Sequence, residues 1–220
     1  MEGRQLGGPV QPPADFTPVC TTELGRTASL KNEFDKRNVK VIGVSVDPIE
    51  SHNGWAQDIT EVGGTDLNFP LIADQDRKVS ELYDMIHPGE GDTSTVRSVF
   101  IVDPKNKVRL TLTYPKSIGR NFGEIMRVID ALQLTDSAPV STPVDWQPGD
   151  RIIVAPTMST DDARQRFEDV EEVGPTCAGR SSRRPERGAR SGPIGWRLPR
   201  RGRYAYSGRA ASCWHRRLWG

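Results

Sequence analysis

The feature that most constrains the fold is an alternation of short β-branched runs with amphipathic stretches over residues 17–134. Residues 39–46 are rich in valine and end at Asp47-Pro48, which indicates a buried strand that opens into a loop. Strands predicted over 97–102 and 107–114 flank an Asp-Pro-Lys-Asn turn, which indicates a hairpin. Helices are predicted over 17–37, 49–62, 74–83 and 121–134. This order predicts an α/β domain with a mixed sheet flanked by helices.

The charge of the chain divides it near residue 174. The sequence has 30 basic and 29 acidic residues, a net charge of +1. Residues 174–220 hold 12 arginines, no lysine and one acidic residue, Glu186, a net charge of +11. The remainder therefore has 18 basic and 28 acidic residues, a net charge of −10. So different a charge balance indicates that the two parts are structured differently, and we expect a disordered Arg/Gly-rich tail over 174–220.

Before the tail, the sequence predicts a short strand over residues 151–154 and an acidic helix over residues 159–172.

Two interpretations of this tail stay open. Arginines without lysine, mixed with Trp196, Trp214 and Trp219, are typical of an out-of-frame translation of GC-rich codons. We favour a frameshift or a mispredicted splice junction near Val173 and another near Pro12, in which case the chain is the inactive or misfolded product of a damaged gene model. The alternative is an arginine-rich tail that binds RNA, which the irregular Arg-Gly spacing disfavours.

Cysteine usage points to a reduced setting. Three cysteines are too few for a disulfide framework. The sequence has no C-x-x-C motif, so it indicates neither a zinc site nor a thioredoxin-type dithiol. Cys20 is alone in the acidic part, whereas Cys177 and Cys213 lie in the basic tail. Residues 1–13 lack the apolar core of a secretory signal, and no stretch approaches the ~20 apolar residues of a membrane helix. We therefore expect a cytoplasmic protein.

Cys20 lies at the start of the first predicted helix. Thr17 is a candidate N-cap and Pro18 suits the first helical position. A cysteine in the first turn is surrounded by unpaired N–H groups at the positive end of the helix dipole, which favours the thiolate. Cys20 is thus a candidate reactive thiol. The simpler alternative is a small buried residue that happens to begin a helix.

Several segments follow this cysteine in a recognisable order. The segment PADFTPVCTTELG at residues 13–25 contains the pattern P-x-x-x-T-P-x-x-C. It is followed by VSVD at 44–47, FPLIAD at 69–74, Arg97 before its strand, YP at 114–115, GRNF at 119–122 and PVDWQPGD at 143–150. In this order they resemble the 1-Cys peroxiredoxins, the peroxiredoxin six-type members of the AhpC/TSA superfamily. The resemblance implies a thioredoxin-like peroxiredoxin domain over 13–138 and a C-terminal dimerisation arm over 139–173.

The resemblance also implies a function. It is that of a thiol-dependent peroxidase that reduces hydrogen peroxide and organic or lipid hydroperoxides through a sulfenic acid on Cys20, for antioxidant defence. Thr17 would hydrogen-bond the sulfur and the substrate oxygen, and Arg97 would stabilise the thiolate and the departing oxygen. Pro13 would shield the pocket from water. Without the resemblance, the sequence fits two simpler interpretations equally well: Thr17 is only a helix cap, and Arg97 is only a surface charge.

Glu23 and Arg120 are supporting candidates, because an Arg–Glu pair can orient Arg97. The resemblance implies neither a metal nor an organic cofactor. The implied partners are a peroxide, an external thiol such as glutathione or thioredoxin, and a second copy of the chain in a homodimer. Because Cys177 and Cys213 lie in sequence unlike the family's resolving segment, we expect a one-cysteine cycle. A generic disulfide reductase is disfavoured, since Cys20-Thr21-Thr22-Glu23 has no second cysteine.

The beginning of the chain differs from the family. Members begin with a β-hairpin and a strand that leads into the active-site loop, whereas residues 1–12 are rich in glycine and proline. Prolines argue against a central strand, so we expect a flexible arm over 1–12 and a truncated fold without the hairpin and the leading strand. The serine motif of the family's phospholipase activity belongs to that stretch, and this activity is not carried over.

Overall fold

The structure, a computed structural model, describes residues 6–10, 14–86, 95–172 and 180–183. In chain order these residues form β1 (Leu6–Val10), α1 (Pro18–Ser29), α2 (Lys31–Lys36), β2 (Val39–Ser45), α3 (Ile49–Gly63), β3 (Leu71–Ala73), α4 (Lys78–Leu82), β4 (Arg97–Val102), β5 (Val108–Tyr114), α5 (Phe122–Ser137), β6 (Val140–Ser141), β7 (Ile152–Val154), α6 (Thr160–Arg166), β8 (Glu168–Glu172) and β9 (Arg180–Arg183).

The larger sheet has the strand order β3-β2-β1-β4-β5. Strands β1, β2 and β3 are parallel, while β4 runs antiparallel to both β1 and β5. The β4–β5 hairpin is the predicted one, and its turn is held by Asp103 Oδ1, which accepts the backbone N–H groups of Lys105 and Lys107 at 2.8 and 3.0 Å. The mixed sheet of an α/β domain is therefore confirmed.

The prediction that the chain lacks a leading strand is wrong. Strand β1 lies at the centre of the sheet, and each of its residues pairs with β2. Its pairs with β4 are Gly7–Val102 and Val10–Val99, so Pro9, which has no N–H to donate, falls between the paired positions. In the parallel pairing with β2, Pro9 lies opposite Ile42, so the central strand contains a proline. The predicted absence of the N-terminal hairpin concerns residues outside those that the structure describes.

Over residues 17–134 a helix forms in each predicted place, but the first is interrupted and α4 is shorter than predicted. Residues 17–37 form two helices rather than one, because Leu30 (φ −90°, ψ 8°) departs from helical geometry between α1 and α2. Helix α3 ends at Gly63, one residue beyond the predicted end, and Gly64 caps it in the left-handed region (φ 68°). Helix α5 begins at Asn121, whose side chain accepts the N–H of Glu124 at 3.2 Å.

Helix α1 packs closely against α3, which places the start of α1 beside the sheet. A Cβ on Gly25 would lie 2.8 Å from the Cα of Gly63, so only glycine allows this approach. The buried cluster beneath the crossing consists of Cys20, Leu24, Trp55 and Ile59. A second cluster, with Phe34, Val39, Val99, Ile101, Phe122, Ile125, Val128 and Ile129, fills the space between the sheet and helices α2 and α5.

The C-terminal part forms a second sheet of order β6-β7-β9-β8. The helix predicted over 159–172 is wrong beyond Arg166, because the buried Phe167 is extended (φ −132°, ψ 141°) and β8 follows it. Strand β9 pairs antiparallel with β8, in a register that sets Arg180 opposite Glu172. The prediction of a disordered tail is therefore wrong for residues 180–183, and the rest of the tail lies outside the described residues. Within the described ranges, no helix has the length and apolar character needed to cross a membrane.

Candidate active site

Cys20 is the third residue of α1 and has no solvent-exposed surface. Pro18 occupies the first helical position and Thr17 the N-cap, as predicted. The sulfur therefore lies in the first turn, where free backbone N–H groups and the helix dipole favour a negative charge. It is also removed from water, so any charge on it must be balanced by protein groups.

Arg97 is the group that contacts the sulfur. It is the first residue of β4 and only 3 % exposed, so the interpretation of Arg97 as a surface charge is wrong. Its Nη1 donates to Cys20 Sγ at 3.2 Å, and its Nε donates to the carbonyl of Lys116 at 2.8 Å. The second bond fixes the plane of the guanidinium, so one of its N–H groups is aimed at the thiol.

Glu23 connects Arg97 to Arg120. Its Oε2 accepts Arg97 Nη1 at 2.8 Å and also accepts Arg120 Nη1, while its Oε1 accepts the backbone N–H of Arg120 at 2.7 Å. Arg120 Nη2 donates to the carbonyl of Ser98 at 3.1 Å. The structure thus brings together Cys20, Arg97, Glu23 and Arg120, each predicted from the sequence.

The charges of this cluster match a thiolate. Two guanidinium groups and one carboxylate, each under 10 % exposed, leave one positive charge beside the sulfur. Desolvation lowers the pKa of Arg120 and the carboxylate of Glu23 opposes that shift, and an arginine keeps its proton in proteins. A thiolate on Cys20 makes the buried group neutral overall, whereas a neutral thiol leaves an unbalanced buried charge. The arrangement therefore suits an anionic sulfur nucleophile.

Thr17 makes a contact that differs from the predicted one. Its hydroxyl donates to the carbonyl of Ala14 at 3.0 Å, not to the sulfur of Cys20, and it makes no side-chain cap bond. Its own carbonyl accepts both the backbone N–H and the hydroxyl of Thr21, each at 2.9 Å. The lone pairs of the Thr17 hydroxyl are left to accept a hydrogen bond from a bound molecule. Pro13 lies outside the described residues.

Sequence reasoning missed two sets of contacts around this site. Trp55 Nε1 donates to Thr21 Oγ1 at 2.9 Å, which ties α3 to the first turn of α1. A buried indole N–H needs an acceptor, but the sequence does not show which one. The second set surrounds Asp15, two residues before Thr17, and includes Asp47, two residues after the end of β2. The available signals were an acid within the motif, Asp15, and another after a buried strand, Asp47.

Comparisons with known proteins match two parts of the chain to known families. Residues 11–111 match the AhpC/TSA family, and residues 131–169 match the C-terminal domain of 1-Cys peroxiredoxin. The chain is 52 % identical over 170 residues to the mitochondrial peroxiredoxin PRX1 of Saccharomyces cerevisiae, covering 74 % of this chain and 65 % of that protein. It is 50 % identical over 163 residues to peroxiredoxin-6 of Rattus norvegicus, covering 70 % and 73 %. The chain thus spans about two thirds of the length of such relatives.

Solved structures give the same result. A mutant of peroxiredoxin 6 from Arenicola marina superposes with a TM-score of 0.76 at 41 % identity, over 82 % of this chain and 86 % of that one. A yeast mitochondrial 1-Cys peroxiredoxin superposes with a TM-score of 0.74 at 48 % identity, over 81 % and 86 %. The thioredoxin-like peroxiredoxin fold predicted from the sequence is therefore confirmed. The chain belongs to the AhpC/TSA family, as a member of its 1-Cys peroxiredoxins.

Proposed function

We propose that the protein is a thiol-dependent peroxidase with Cys20 as its nucleophile. The observation that carries this proposal is the 3.2 Å contact between Arg97 Nη1 and Cys20 Sγ inside a buried, charge-matched cluster. The thiolate attacks the terminal oxygen of a hydroperoxide, forming an S–O bond as the O–O bond breaks. Sulfur is oxidised to a sulfenic acid, and the peroxide is reduced to an alkoxide or hydroxide that takes a proton from solvent.

Two side chains act on the substrate in this proposal. Arg97 stabilises the thiolate and then the negative charge that develops on the departing oxygen, as a fixed donor does in an oxyanion hole. Thr17 accepts the O–H of the peroxide, because its own proton is held by the Ala14 carbonyl. Glu23 and Arg120 hold Arg97 in place.

We include organic and lipid hydroperoxides beside hydrogen peroxide as substrates. Exposed apolar side chains border the start of α1. Phe16 precedes α1 and is 53 % exposed. Ile118, which is 52 % exposed, is next to Gly119. Gly119 lies close to α1, because a Cβ added to it would lie 3.8 Å from Cγ1 of Val19. An alkyl group attached to the peroxide would lie against these side chains.

Reduction requires an external thiol in this proposal. A first thiol condenses with the sulfenic acid, releasing water and leaving a mixed disulfide on Cys20, and a second thiol releases the Cys20 thiol together with a small disulfide. The yeast 1-Cys peroxiredoxin has been studied for thiol resolution via glutathione/thioredoxin systems, which supports glutathione or thioredoxin as the reductant. We further propose a homodimer in the cytoplasm. The match of residues 131–169 to the 1-Cys C-terminal domain supports the dimer, while the yeast relative is mitochondrial.

Peroxide consumption tests the proposal. With dithiothreitol or glutathione as reductant, the wild-type chain should consume hydrogen peroxide and cumene hydroperoxide, and Cys20→Ser should not. Cys177→Ser and Cys213→Ser are the matched controls and should keep the wild-type rate, because the cycle uses one cysteine. Equal rates for wild type and Cys20→Ser would remove the peroxidase assignment. Loss of turnover in Cys177→Ser alone would instead indicate a two-cysteine cycle.

A further inference from the structure

Strand β2 is unpaired along half of one edge. On one side it pairs with β1 at every residue of 39–43. On the other side β3 pairs with β2 only from Gly43 to Ser45. Among the described residues, none therefore pairs with the β3 side of residues 39–42, a length of about 13 Å. An unpaired strand edge is a template for the addition of another strand.

The chain that precedes β3 leaves this edge because it is bonded to α1. The N–H of Gly43 donates to the carbonyl of Pro70 at 2.8 Å, which keeps β2 and the start of β3 together. Two residues before Pro70, the side-chain amide of Asn68 donates to the carbonyl of Ala28 at 2.9 Å, in the last turn of α1. The segment 68–70 is thus held toward the helix, and a gap separates it from the first half of β2.

Two residues of β2 direct their backbone groups into this gap. On the β3 side of the strand, the N–H of Gly43 donates and the carbonyl of Ser45 accepts the N–H of Asp74 at 2.7 Å. Because alternate residues of a strand direct their N–H and C=O groups to the same side, Val39 and Val41 present theirs to the gap. Two donors and two acceptors are therefore available there for hydrogen bonds to an added chain.

The gap is a cavity of about 320 Å³ with mainly apolar walls. Ligand sites in proteins have volumes of about 300–1,000 Å³, so this cavity is large enough to hold side chains of a bound molecule. Phe34 of α2 lines one side together with Val41, while Phe69 and Pro70 line the other. Ile42, which also lines the cavity, is a large apolar side chain that is 36 % exposed. These walls favour apolar side chains in a bound segment.

The rim of the cavity carries a positive charge. Lys31, Asp35 and Lys40 line it, and all three are exposed. Lys31 Nζ is bonded to Asp35 Oδ2 at 2.6 Å. Lys40 forms no ion pair with any residue that the structure describes, so of two cations and one anion its charge is left unbalanced. Val39 and Val41 pack against the core cluster, so Lys40 between them lies on the opposite face of the strand.

We propose that residues 39–42 bind an extended segment of a partner protein, which adds to β2 as an edge strand. The backbone of this segment bonds to the N–H and C=O groups of Val39 and Val41. Its side chains alternate in character along the strand. Apolar side chains lie in the cavity against Phe34, and acidic side chains on the opposite face lie beside Lys40.

Charge distinguishes this partner from the basic tail of the chain itself. Residues 174–220 have a net charge of +11 and lack the acidic side chains that Lys40 favours. The site also contains none of the residues of the Cys20 cluster. The inference therefore goes beyond the proposed peroxidase function and stands independently of it.

Peptides of defined sequence test the strand addition on the full chain. A fluorescein-labelled GGVEVEV amide is titrated with the protein, and its fluorescence anisotropy is followed. We expect saturable binding with a Kd below about 1 mM, and no saturable binding of the matched basic peptide GGVKVKV in this range. Absence of saturable binding of GGVEVEV up to about 1 mM would overturn the proposal.

Backbone methylation of the peptide distinguishes strand addition from simple charge attraction. One peptide carries N-methyl groups on its valines and another on its glutamates. In an added strand only one of these two sets of N–H groups faces β2. One methylated peptide should therefore bind at least about tenfold more weakly, while the other keeps its affinity. An equal loss from both, or a loss from neither, contradicts the proposed binding mode.

A charge reversal at the rim provides the protein variant. Lys40→Glu should weaken binding of GGVEVEV at least about tenfold, because two glutamates then meet a like charge. Lys105→Glu makes the same charge change in the exposed turn between β4 and β5 and should bind as the wild type does. Equal affinities of the two variants refute the role of Lys40. Cys20→Ser should bind with the wild-type Kd, so a protein that binds the peptide without reducing peroxide supports this inference and refutes only the peroxidase proposal.

Amide hydrogen exchange measured by NMR locates the bound peptide. With saturating GGVEVEV, exchange of the Val39 and Val41 N–H groups should slow at least about tenfold, whereas Lys40 and Ile42, which face β1, serve as internal controls and should not change. Unaltered exchange at Val39 and Val41 overturns the proposal. So does slowing that increases with protein concentration in the absence of peptide, because a second copy of the chain then occupies the edge.

Discussion

Replacing Glu23 by glutamine tests the charge balance around Cys20. Glu23 is 4 % exposed and accepts hydrogen bonds from the side chains of both Arg97 and Arg120 and from the backbone of Arg120. Glutamine has only one acceptor oxygen. If that oxygen serves the backbone N–H, its amide NH₂ faces the two guanidinium groups, donor against donor. The variant therefore buries two arginine charges without their carboxylate.

The cost follows from what is left unpaired. Breaking a buried ion pair by removing one partner typically costs about 3–5 kcal/mol. For a domain of this size each kcal/mol lowers the melting temperature by about 2–4 °C, so we expect a decrease of about 10 °C. Arg97 also loses one of the contacts that aim it at the sulfur, and we expect oxidation of Cys20 by peroxide to slow about a hundredfold, as when an oxyanion-hole donor is removed.

Circular dichroism melts and stopped-flow oxidation provide the two measurements. Glu61→Gln, on an exposed position of α3, is the matched control and should melt and react as the wild type does. A Glu23→Gln protein that melts within about 2 °C of the wild type and is oxidised at the same rate would refute the argument that Glu23 balances the buried arginines.

Three further changes have expected outcomes. Gly25→Ala places a Cβ 2.8 Å from Gly63 Cα, so the α1–α3 crossing should separate and urea unfolding should show a loss of about 1–3 kcal/mol. Trp55→Phe removes the bond to Thr21, and we expect a loss of about 1 kcal/mol together with faster amide exchange in the first turn of α1. Hydrogen bonds from the backbone lower the pKa of Asp103 from 3.8, so its contribution to stability is present above pH 3.8 and is lost as the pH falls through the lower folded value. Asp103→Asn should remove that part of the pH dependence in acid melts.

The buried charge cluster was predictable because the segments that carry its residues occur in the same order as in the family. Cys20, Glu23, Arg97 and Arg120 are spread over about half of the chain, and nothing in their spacing alone brings them together. The order of the surrounding segments supplied that information, and the structure places Arg97 on Cys20. The bond from Thr17 to Ala14 could not be predicted, since the choice between two nearby acceptors depends on the local path of the backbone.

The errors have physical causes as well. Strand β1 contains Pro9, which local propensity excludes from a central strand, but β1 pairs with β2 along its whole length and with β4 at Gly7 and Val10. Residues 168–172 were predicted to continue the helix that begins at residue 159, yet they pair as a strand with β9. In both cases pairing with a distant segment outweighed the local preference, and such pairing is not visible in a short window of sequence.

Trapping of the sulfenic acid tests the central claim most directly. The reduced chain is mixed with one equivalent of hydrogen peroxide in the presence of dimedone, and the adduct is located by mass spectrometry. We predict an adduct on Cys20 in the wild type, and formation about a hundredfold slower in Arg97→Met, which keeps the volume of the side chain but lacks its donors. An adduct on Cys177 or Cys213 in place of Cys20, or equal rates in the two proteins, would contradict the assignment of Cys20 and Arg97.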